Sequence, residues 1–537
     1  MIVNMNNQIN KSISLSNPHP PFADLLQKVY ASIAGIGLLI LLVATFGMDF
    51  TNKGMWLAVS LALISLGTIL YAYRAYGTKI EGIKNDGNFF SSVVHRGIVG
   101  WLSGIVITGF YVLLYFYPEL LGLGTDGGTN AGLVGFFDPL AMAFKGTPAS
   151  QWFVYGTLYT IAILIFGIKF ILKYRHNRYQ IIRTLSVMFF QLFFAFLIPE
   201  IMEGLNSDLG SKWFDKDMKN MWPLDYDFFD QWHIDNMSSA GILGSSFLIF
   251  SLLLIFVISP ILTYKFGKRW YCSWVCGCGG LAETAGDPYR HLSDKSLKAW
   301  KIERWLIHLV LFLSFIMTTA VIYSYLGEGD QYYVTKNSFT LILLVLLAVV
   351  GFIFYFLMRK KNQGNSSSLN IILGFIGITG LLYLINYFSG SGNAFFIDNY
   401  QIKKYYGFLI GAVFSGVIGV GFYPLMGSRV WCRFGCPMAA ILGLQQRLFS
   451  KFRITTNGGQ CISCGNCSTY CEMGIDVRSY AQKGQNIVRA SCVGCGICAA
   501  VCPRGVLKLE NGSSDIYERT DQMKTIHISE SEINILT

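Results

Sequence analysis

The sequence predicts a mainly α fold: a polytopic transmembrane helix bundle of about ten spans with a small C-terminal α+β domain. Three observations predict it. Apolar stretches of about 18–22 residues, long enough to cross a bilayer, recur from residue 30 to residue 425. Only 14% of the 537 residues are charged and 53% are hydrophobic, where an ordinary soluble domain carries roughly 25% charge. Eight of the thirteen cysteines crowd into the segment from Cys461 to Cys502, in two matching runs.

The predicted spans lie near 30–48, 55–73, 97–117, 152–173, 184–202, 241–263, 305–325, 339–358, 369–387 and 407–425. A long polar segment precedes the first run and no small-residue cleavage pattern follows it, so it reads as a span and not as a cleaved signal peptide. Alternate loops are basic: Arg74, Lys79, Lys84 and Arg96 after the second span, Lys173, Arg175, Arg178 and Arg183 after the fourth, and Lys265, Lys268 and Arg269 after the sixth. The loops between them are acidic, above all Asp208, Asp215, Asp217, Asp225, Asp227, Asp230 and Asp235. The positive-inside rule then puts both termini and the C-terminal domain in the cytoplasm, below a cytoplasmic (inner) membrane. The same distribution accounts for the net charge of +11 without nucleic acid, since the basic residues sit in short loops between spans.

The chain divides on this reading into a cytoplasmic segment (1–29), a five-span region (30–240), a second five-span core (241–436), a connector (437–454) with Pro437 placed to start a helix, a cysteine-rich domain (455–510) and a polar tail (511–537). The tail opens Asn511-Gly-Ser-Ser-Asp, a composition expected of flexible chain.

The cysteine runs are Cys461-Ile-Ser-Cys464-Gly-Asn-Cys467-Ser-Thr-Tyr-Cys471 and Cys492-Val-Gly-Cys495-Gly-Ile-Cys498-Ala-Ala-Val-Cys502-Pro503. Each reads C-x2-C-x2-C-x3-C, the bacterial two-cluster ferredoxin spacing. Three cysteines two residues apart wrap one tight loop around three irons of a cubane, and the fourth ligates the other cluster. Cys461, Cys464, Cys467 and Cys502 are therefore expected to hold one [4Fe–4S] cluster, and Cys492, Cys495, Cys498 and Cys471 the second. Gly465 and Gly496 recur at equivalent positions, where backbone must approach inorganic sulfide without a side chain. Zinc ribbons use two CxxC pairs instead, and a disulfide framework needs an oxidising compartment. Cys471 is followed by Glu472 where Cys502 is followed by proline; a local change of the turn is expected there, not loss of a cluster.

A second constellation follows the sixth and tenth spans: Trp270-Tyr-Cys272-Ser-Trp-Val-Cys276-Gly-Cys278 and Val430-Trp-Cys432-Arg-Phe-Gly-Cys436-Pro437. In C-x3-C two thiols share one helix face. If the two spans are neighbours, four or five thiols meet at the membrane surface and suit a dithiol, a copper or iron site, or an electron contact to the clusters. Cysteine is also a small hydrophobe tolerated near helix ends, but two pairs at equivalent places, each preceded by an aromatic, favour a redox or metal role.

Twin C-x3-C motifs followed by a double ferredoxin motif resemble the membrane-bound polyferredoxins of the NapH/NosR group, over roughly residues 241–510. Cys471-Glu-Met-Gly-Ile-Asp-Val477 resembles the same group, which has proline where Glu472 stands. The resemblance implies a quinol dehydrogenase-like electron-transfer component working with quinone and other respiratory proteins, or, by its CcoG-like branch, a copper reductase or maturation factor. Cys276 lacks the family's following proline, two extra spans separate the twin motifs, and residues 1–240 have no counterpart.

Other candidates carry weaker signals. His95, His176, His291 and His308 lie near cytoplasmic span ends, and no CxxCH occurs to attach a c-type haem, so no haem is expected. His308, one turn inside the seventh span, suits quinone binding or proton relay, and Glu200 invites the same reading; a satisfied interfacial residue is the simpler account of both. Gly122–Gly135 reads as an external loop without phosphate-binding order. The acidic stretch 208–235 with Trp213, Trp222 and Trp232 reads either as a dock for a basic protein or as an interfacial amphipathic segment. Residues 281–304 read as a structured cytoplasmic loop. Arg453, Arg489, Arg504 and Lys508 are expected to offset cluster charge. The function expected is electron transfer between quinol/quinone and a respiratory redox partner through two [4Fe–4S] clusters.

Overall fold

The computed structural model describes residues 24–48, 50–78, 97–124, 128–205, 221–239, 241–326, 334–360, 367–390, 393–512, 525–528 and 533–536. Among these residues, eight helices are long and apolar enough to cross a membrane: α1 (Leu25–Thr45), α2 (Lys53–Gly77), α3 (Ile98–Phe116), α4 (Gln151–Lys173), α5 (Arg178–Leu205), α6 (Gly244–Phe266), α7 (Leu297–Tyr325) and α8 (Lys336–Phe356). They coincide with the first eight predicted spans. Side chains start them where the sequence offers an N-cap: the Asp24 carboxylate accepts from Gln27 N and Gln27 returns the bond, while Asn52, Ser150, Asn177 and Ser296 cap α2, α4, α5 and α7. Each satisfies a backbone donor that has no partner inside its helix.

The ninth predicted span falls within α9 (Ser367–Ser389), a helix of 23 residues. The tenth is not one α-helix: Asn399–Tyr406 runs into a π-helical stretch, Gly407–Ile418, and the chain turns before a last short helix, Tyr423–Met426. Glycines cause this. Gly407 and Gly411 lie against the Tyr226 ring and Gly416 against Tyr111 and Tyr115, and a Cβ at Gly421 would meet Thr108 Oγ1 at 2.4 Å. The rings fill a groove that ordinary side chains would occupy, and the helix widens around them. Single π-turns at Phe193–Leu197 in α5 and Leu254–Ile258 in α6 have a plainer origin: each sits just before a proline, Pro199 or Pro260, whose ring displaces the carbonyl one turn earlier.

In the α1–α2 hairpin small residues bring the backbones together. Ser60 Oγ donates to Gly37 O at 2.8 Å, and a Cβ at Gly67 would stand 2.6 Å from Ala34 N. Small residues at such crossings let helices associate by van der Waals packing where lipid supplies no hydrophobic drive.

α10 (Pro437–Phe449) leads into the cysteine-rich domain. There β1 (Arg453–Thr456) pairs antiparallel with β2 (Leu507–Glu510), Arg453 opposite Glu510, and clasps the two ends of the domain. The two cysteine loops each end in one helical turn, Asn466–Thr469 and Ile497–Ala500. The polar tail departs from the expected flexible chain: β3 (Thr525–Ile528) pairs antiparallel with β4 (Ile533–Leu536). Ile526, Ile528, Ile533 and Ile535 alternate with other residues, the period-two pattern of a strand, and the polar composition around them masks it.

One buried core joins the domain to the helices. Phe228, Tyr271, Trp431, Met438, Leu442, Phe452, Ile454, Met473 and Val493 belong to a single cluster with the cysteines of both constellations. The domain is built into the frame and does not hang from a linker.

Gly67→Val should wedge α1 from α2, costing about 1–3 kcal/mol. Lowered thermal unfolding of the purified protein in detergent would register this. Gly35→Val, with nothing within 4 Å of the added atom, should leave the midpoint unchanged.

Candidate metal centre

Gly465 and Gly496 begin the two helical turns in the left-handed region, with φ 80° and 74°, which glycine adopts without cost. Gly496 has a second reason: a Cβ there would meet the Tyr179 ring at 2.9 Å. The loops bring the predicted sets together. The thiols whose charge acts on Cys467 are Cys464, Cys502 and Cys461. Those acting on Cys498 are Cys495, Cys492 and Cys471, with Cys467 beyond them. These are the crossed sets of the two-cluster spacing, side by side.

The surroundings fit thiolates carrying a cluster. Backbone N–H groups of Ile475 and Met473 donate to Cys471 sulfur, and those of Ser468, Gly494 and Ile497 to Cys467, Cys492 and Cys495; such bonds tune cluster potential. Burial pushes the Cys467 and Cys495 thiols up to about 12 and Cys492 up to about 11. Without a metal these groups keep their protons at neutral pH, and binding iron displaces them.

The two sets differ in placement. Cys464 is exposed and Cys461 and Cys502 are half-buried. The Cys492–Cys498 loop is gripped by the frame. Tyr179 OH donates to Gly494 O at 2.9 Å and Gln180 Nε2 to Cys495 O at 2.8 Å, both from α5. Ser273 Oγ donates to Val493 O at 2.9 Å, and Gln446 Nε2 to Cys492 O at 2.9 Å. The predicted His176 lies at this seam too, Nε2 3.4 Å from Ala500 O.

The twin motifs also meet. Cys272, Cys276, Cys432 and Cys436 are all buried in the shared core, and Cys436 feels the charge of the other three. The Cys278 thiol hydrogen-bonds to Cys276, also feels Cys432 and Cys436, and is only half-buried. Burial pushes the Cys272 thiol up to about 12 and raises Cys432 and Cys436 as well. The Cys436 sulfur caps α10, accepting from Ala439 N at 3.4 Å.

Between the twin motifs and the Cys492–Cys498 loop lies a buried ion network that sequence reading missed. Arg290 Nη1 donates to one oxygen of Glu472 at 2.7 Å and Arg429 Nε to the other at 3.0 Å. Arg429 also pairs with Glu283, which pairs with Arg183. Arg290 and Lys173 share Asp287, at 2.8 and 2.6 Å. Burial alone would raise Glu472, but Arg290, Arg429 and Arg183 hold it below the usual carboxylate range. The one signal in the sequence was Glu472 itself, an acid at a position where its sister loop has proline.

The remaining candidates sort clearly. Of the four basic residues expected to offset cluster charge, Arg489 acts on Cys492, while Arg453 donates to Lys451 O at 3.2 Å; Arg504 and Lys508 are exposed. Lys268, Lys295, Arg183 and Arg290 act on the cysteines from the frame. His308 is buried with Nδ1 against Arg304 O. Glu200 faces Lys145 at 3.7 Å. Trp222 Nε1 donates to Thr318 Oγ1 at 2.9 Å and Trp232 Nε1 to Asp230 at 2.8 Å. Met221 and Phe228 of that stretch enter the shared core, so this part of it packs inward. His95, Trp213, Asp208, Asp215 and Asp217 lie outside the described residues. Asn130 closes the glycine-rich loop on Asp138 and Ala149 O at 2.7 and 2.8 Å.

This geometry defines an iron–sulfur protein whose cluster module is built onto helices long and apolar enough to cross a membrane. Comparison with known proteins agrees. A family model described as a 4Fe-4S dicluster domain matches residues 460–507. A second, described as a 4Fe-4S binding domain, matches twice, at 248–297 and 408–455. The chain is similar to the "Putative electron transport protein YccM" of Escherichia coli (strain K12), 24% identical over 231 residues, 43% of this chain. It spans about half the length of that curated relative, 48%. No solved structure matches the chain.

Glu472→Leu should strand two buried guanidinium groups, and breaking such a pair costs about 3–5 kcal/mol. The thermal midpoint in detergent should fall well below that of Glu472→Gln, which keeps an acceptor. Since Glu472 is held low, its stabilisation is complete above about pH 4.3, the unfolded carboxyl value, and is lost only as acid passes the lowered folded value. Limited proteolysis across pH 7 to 5 should therefore find the domain equally resistant.

Proposed function

We propose that this chain carries electrons between the membrane quinone pool and a redox partner through two [4Fe–4S] clusters. Cys461, Cys464, Cys467 and Cys502 hold one cluster, and Cys471, Cys492, Cys495 and Cys498 the other. The frame lies in the cytoplasmic membrane with the cluster domain on its cytoplasmic side, as the basic loops argue. The carrying observation is the graded placement of the two thiol sets: Cys492 and Cys498 are buried against the frame, and Cys464 opens to solvent.

A cubane supplies one-electron transfer over a potential range set by its surroundings. A quinol gives up two electrons and two protons, so its electrons leave singly. The chain's own residues set the order. Tyr179, Gln180, Ser273 and Gln446 fix the inner loop, and Arg183, Arg290 and Lys268 stabilise negative charge on its thiolates. The outer loop faces solvent at Cys464 and Ile462, where a partner protein reaches it. The quinol half rests on the polyferredoxin resemblance and on a cavity of about 280 Å³ lined by Trp300, Glu303, Arg304, His308, Arg447 and Cys432. There His308 is placed to take a proton, while Glu303 is held by Arg433 Nε at 2.7 Å.

Redox-titrated EPR of anaerobically purified protein tests this reading. A quinol analogue should reduce the clusters, Cys464→Ser should alter one signal and Cys492→Ser another. Clusters that no quinol reduces at any poise would remove the membrane half.

A further inference from the structure

The twin C-x3-C motifs are a structural repeat. Each opens on a glycine in the same unusual conformation: Gly267 has φ 68° and ψ −178°, Gly427 φ 96° and ψ 169°. Each continues with an arginine two residues on, Arg269 or Arg429, and a cysteine three further, Cys272 or Cys432. Each ends on an extended cysteine that precedes a helix, Cys276 at φ −65°, ψ 126° and Cys436 at φ −84°, ψ 114°. The same 4Fe-4S family model matches both copies. Duplication thus brings two thiols from each of two loops into one buried place.

The ligand chemistry narrows what such a place takes. A single thiolate-bound ion such as zinc holds sulfur at about 2.3 Å, which draws its ligand atoms within roughly 4 Å of each other. Among the described residues, the only three His, Cys, Asp or Glu ligand atoms gathered within 4.8 Å are those of Glu283, Glu472 and Cys495. No three of the twin thiols, and no three of either ferredoxin set, gather that closely. A cubane separates its terminal thiolates in that way, because each binds a different iron. The site is supplied for anionic sulfur: Arg429 Nη1 lies 3.6 Å from Cys432 Sγ, Ala439 N–H points at Cys436, and Lys268 acts on Cys272.

We propose that Cys272, Cys276, Cys432 and Cys436 hold a third [4Fe–4S] cluster, with Cys278 outside the ligand set. Its role rests on the electron-transfer reading above; its existence does not. It sits between the cavity, which Cys432 helps to line, and the Cys492–Cys498 loop. Ser273, next to Cys272, bonds Val493, next to Cys492, and the charge of Arg429 acts on both Cys432 and Cys495. One electron at a time would pass from quinol to this cluster and on to the inner ferredoxin cluster.

Iron, acid-labile sulfide and copper analysis of the anaerobic full-length protein, with EPR spin quantitation after dithionite reduction, tests it. The expected result is about twelve irons per chain and three cluster spins. Cys432→Ser and Cys276→Ser should each lose about a third of the iron, and Cys278→Ser none. About eight irons in the parent protein, unchanged by Cys432→Ser, would overturn the third cluster and leave the ferredoxin pair standing. Stoichiometric copper lost on Cys432→Ser would overturn it in favour of a copper thiolate. A parent protein that loses nearly all iron on Cys464→Ser plus Cys492→Ser but binds none at the twin motifs would do the same. If the twin-motif variants do not fold, the parent's iron and spin counts alone decide.

Discussion

The carboxylate of Glu472, fully buried between Arg290 and Arg429, is the contact on which the arrangement of this protein depends. A lone buried charge costs several kcal/mol, so this carboxylate and its two guanidinium partners are tolerable only together. Arg290 comes from the loop before α7, Arg429 from the second twin motif, and Glu472 from the cysteine-rich domain. Their pairing fixes the domain against the frame in one register. A buried ionic contact specifies geometry more than it adds net stability, and geometry is what a chain of redox centres needs, since electron transfer falls steeply with distance.

From that seam the molecule grades outward. The twin thiols are buried in the shared core beside Ile255 of α6 and Ile410 and Phe414 of the π-helical Gly407–Ile418 stretch. The Cys492–Cys498 loop follows, held by frame side chains and flanked by Arg183, Arg290 and Lys268. The Cys461–Cys467 loop comes last, with Cys464 in solvent. Positive charge and burial both change along this line, and both shift cluster potential. The order of the thiol sets is thus also an order of environments.

Much of this was legible in the sequence, for physical reasons. Cluster ligation constrains spacing tightly, which is why the two crossed sets could be proposed from the sequence, and the thiols near Cys467 are Cys464, Cys502 and Cys461. Eight spans were legible because a bilayer demands length and apolarity at once. The tenth was misread because hydropathy does not register the glycines that let Tyr111, Tyr115 and Tyr226 distort the helix. The tail hairpin hid in polar composition. The ion network was invisible because its partners are far apart in the chain: Arg290 and Glu472 are 182 residues apart, and neither has a local pattern to mark it. Proton relay through Glu200 loses its simplicity once Lys145 stands beside it, whereas His308 gains interest from the cavity it lines.

Anomalous scattering at the iron edge from anaerobic crystals of the full chain tests the central claim most directly. The account predicts iron density enclosed by Cys471, Cys492, Cys495 and Cys498 against the Gln180–Ser273–Gln446 face, and separate density enclosed by Cys461, Cys464, Cys467 and Cys502 towards solvent. Density with Cys471 ligating its own loop's cluster, or none at the inner position, would contradict it.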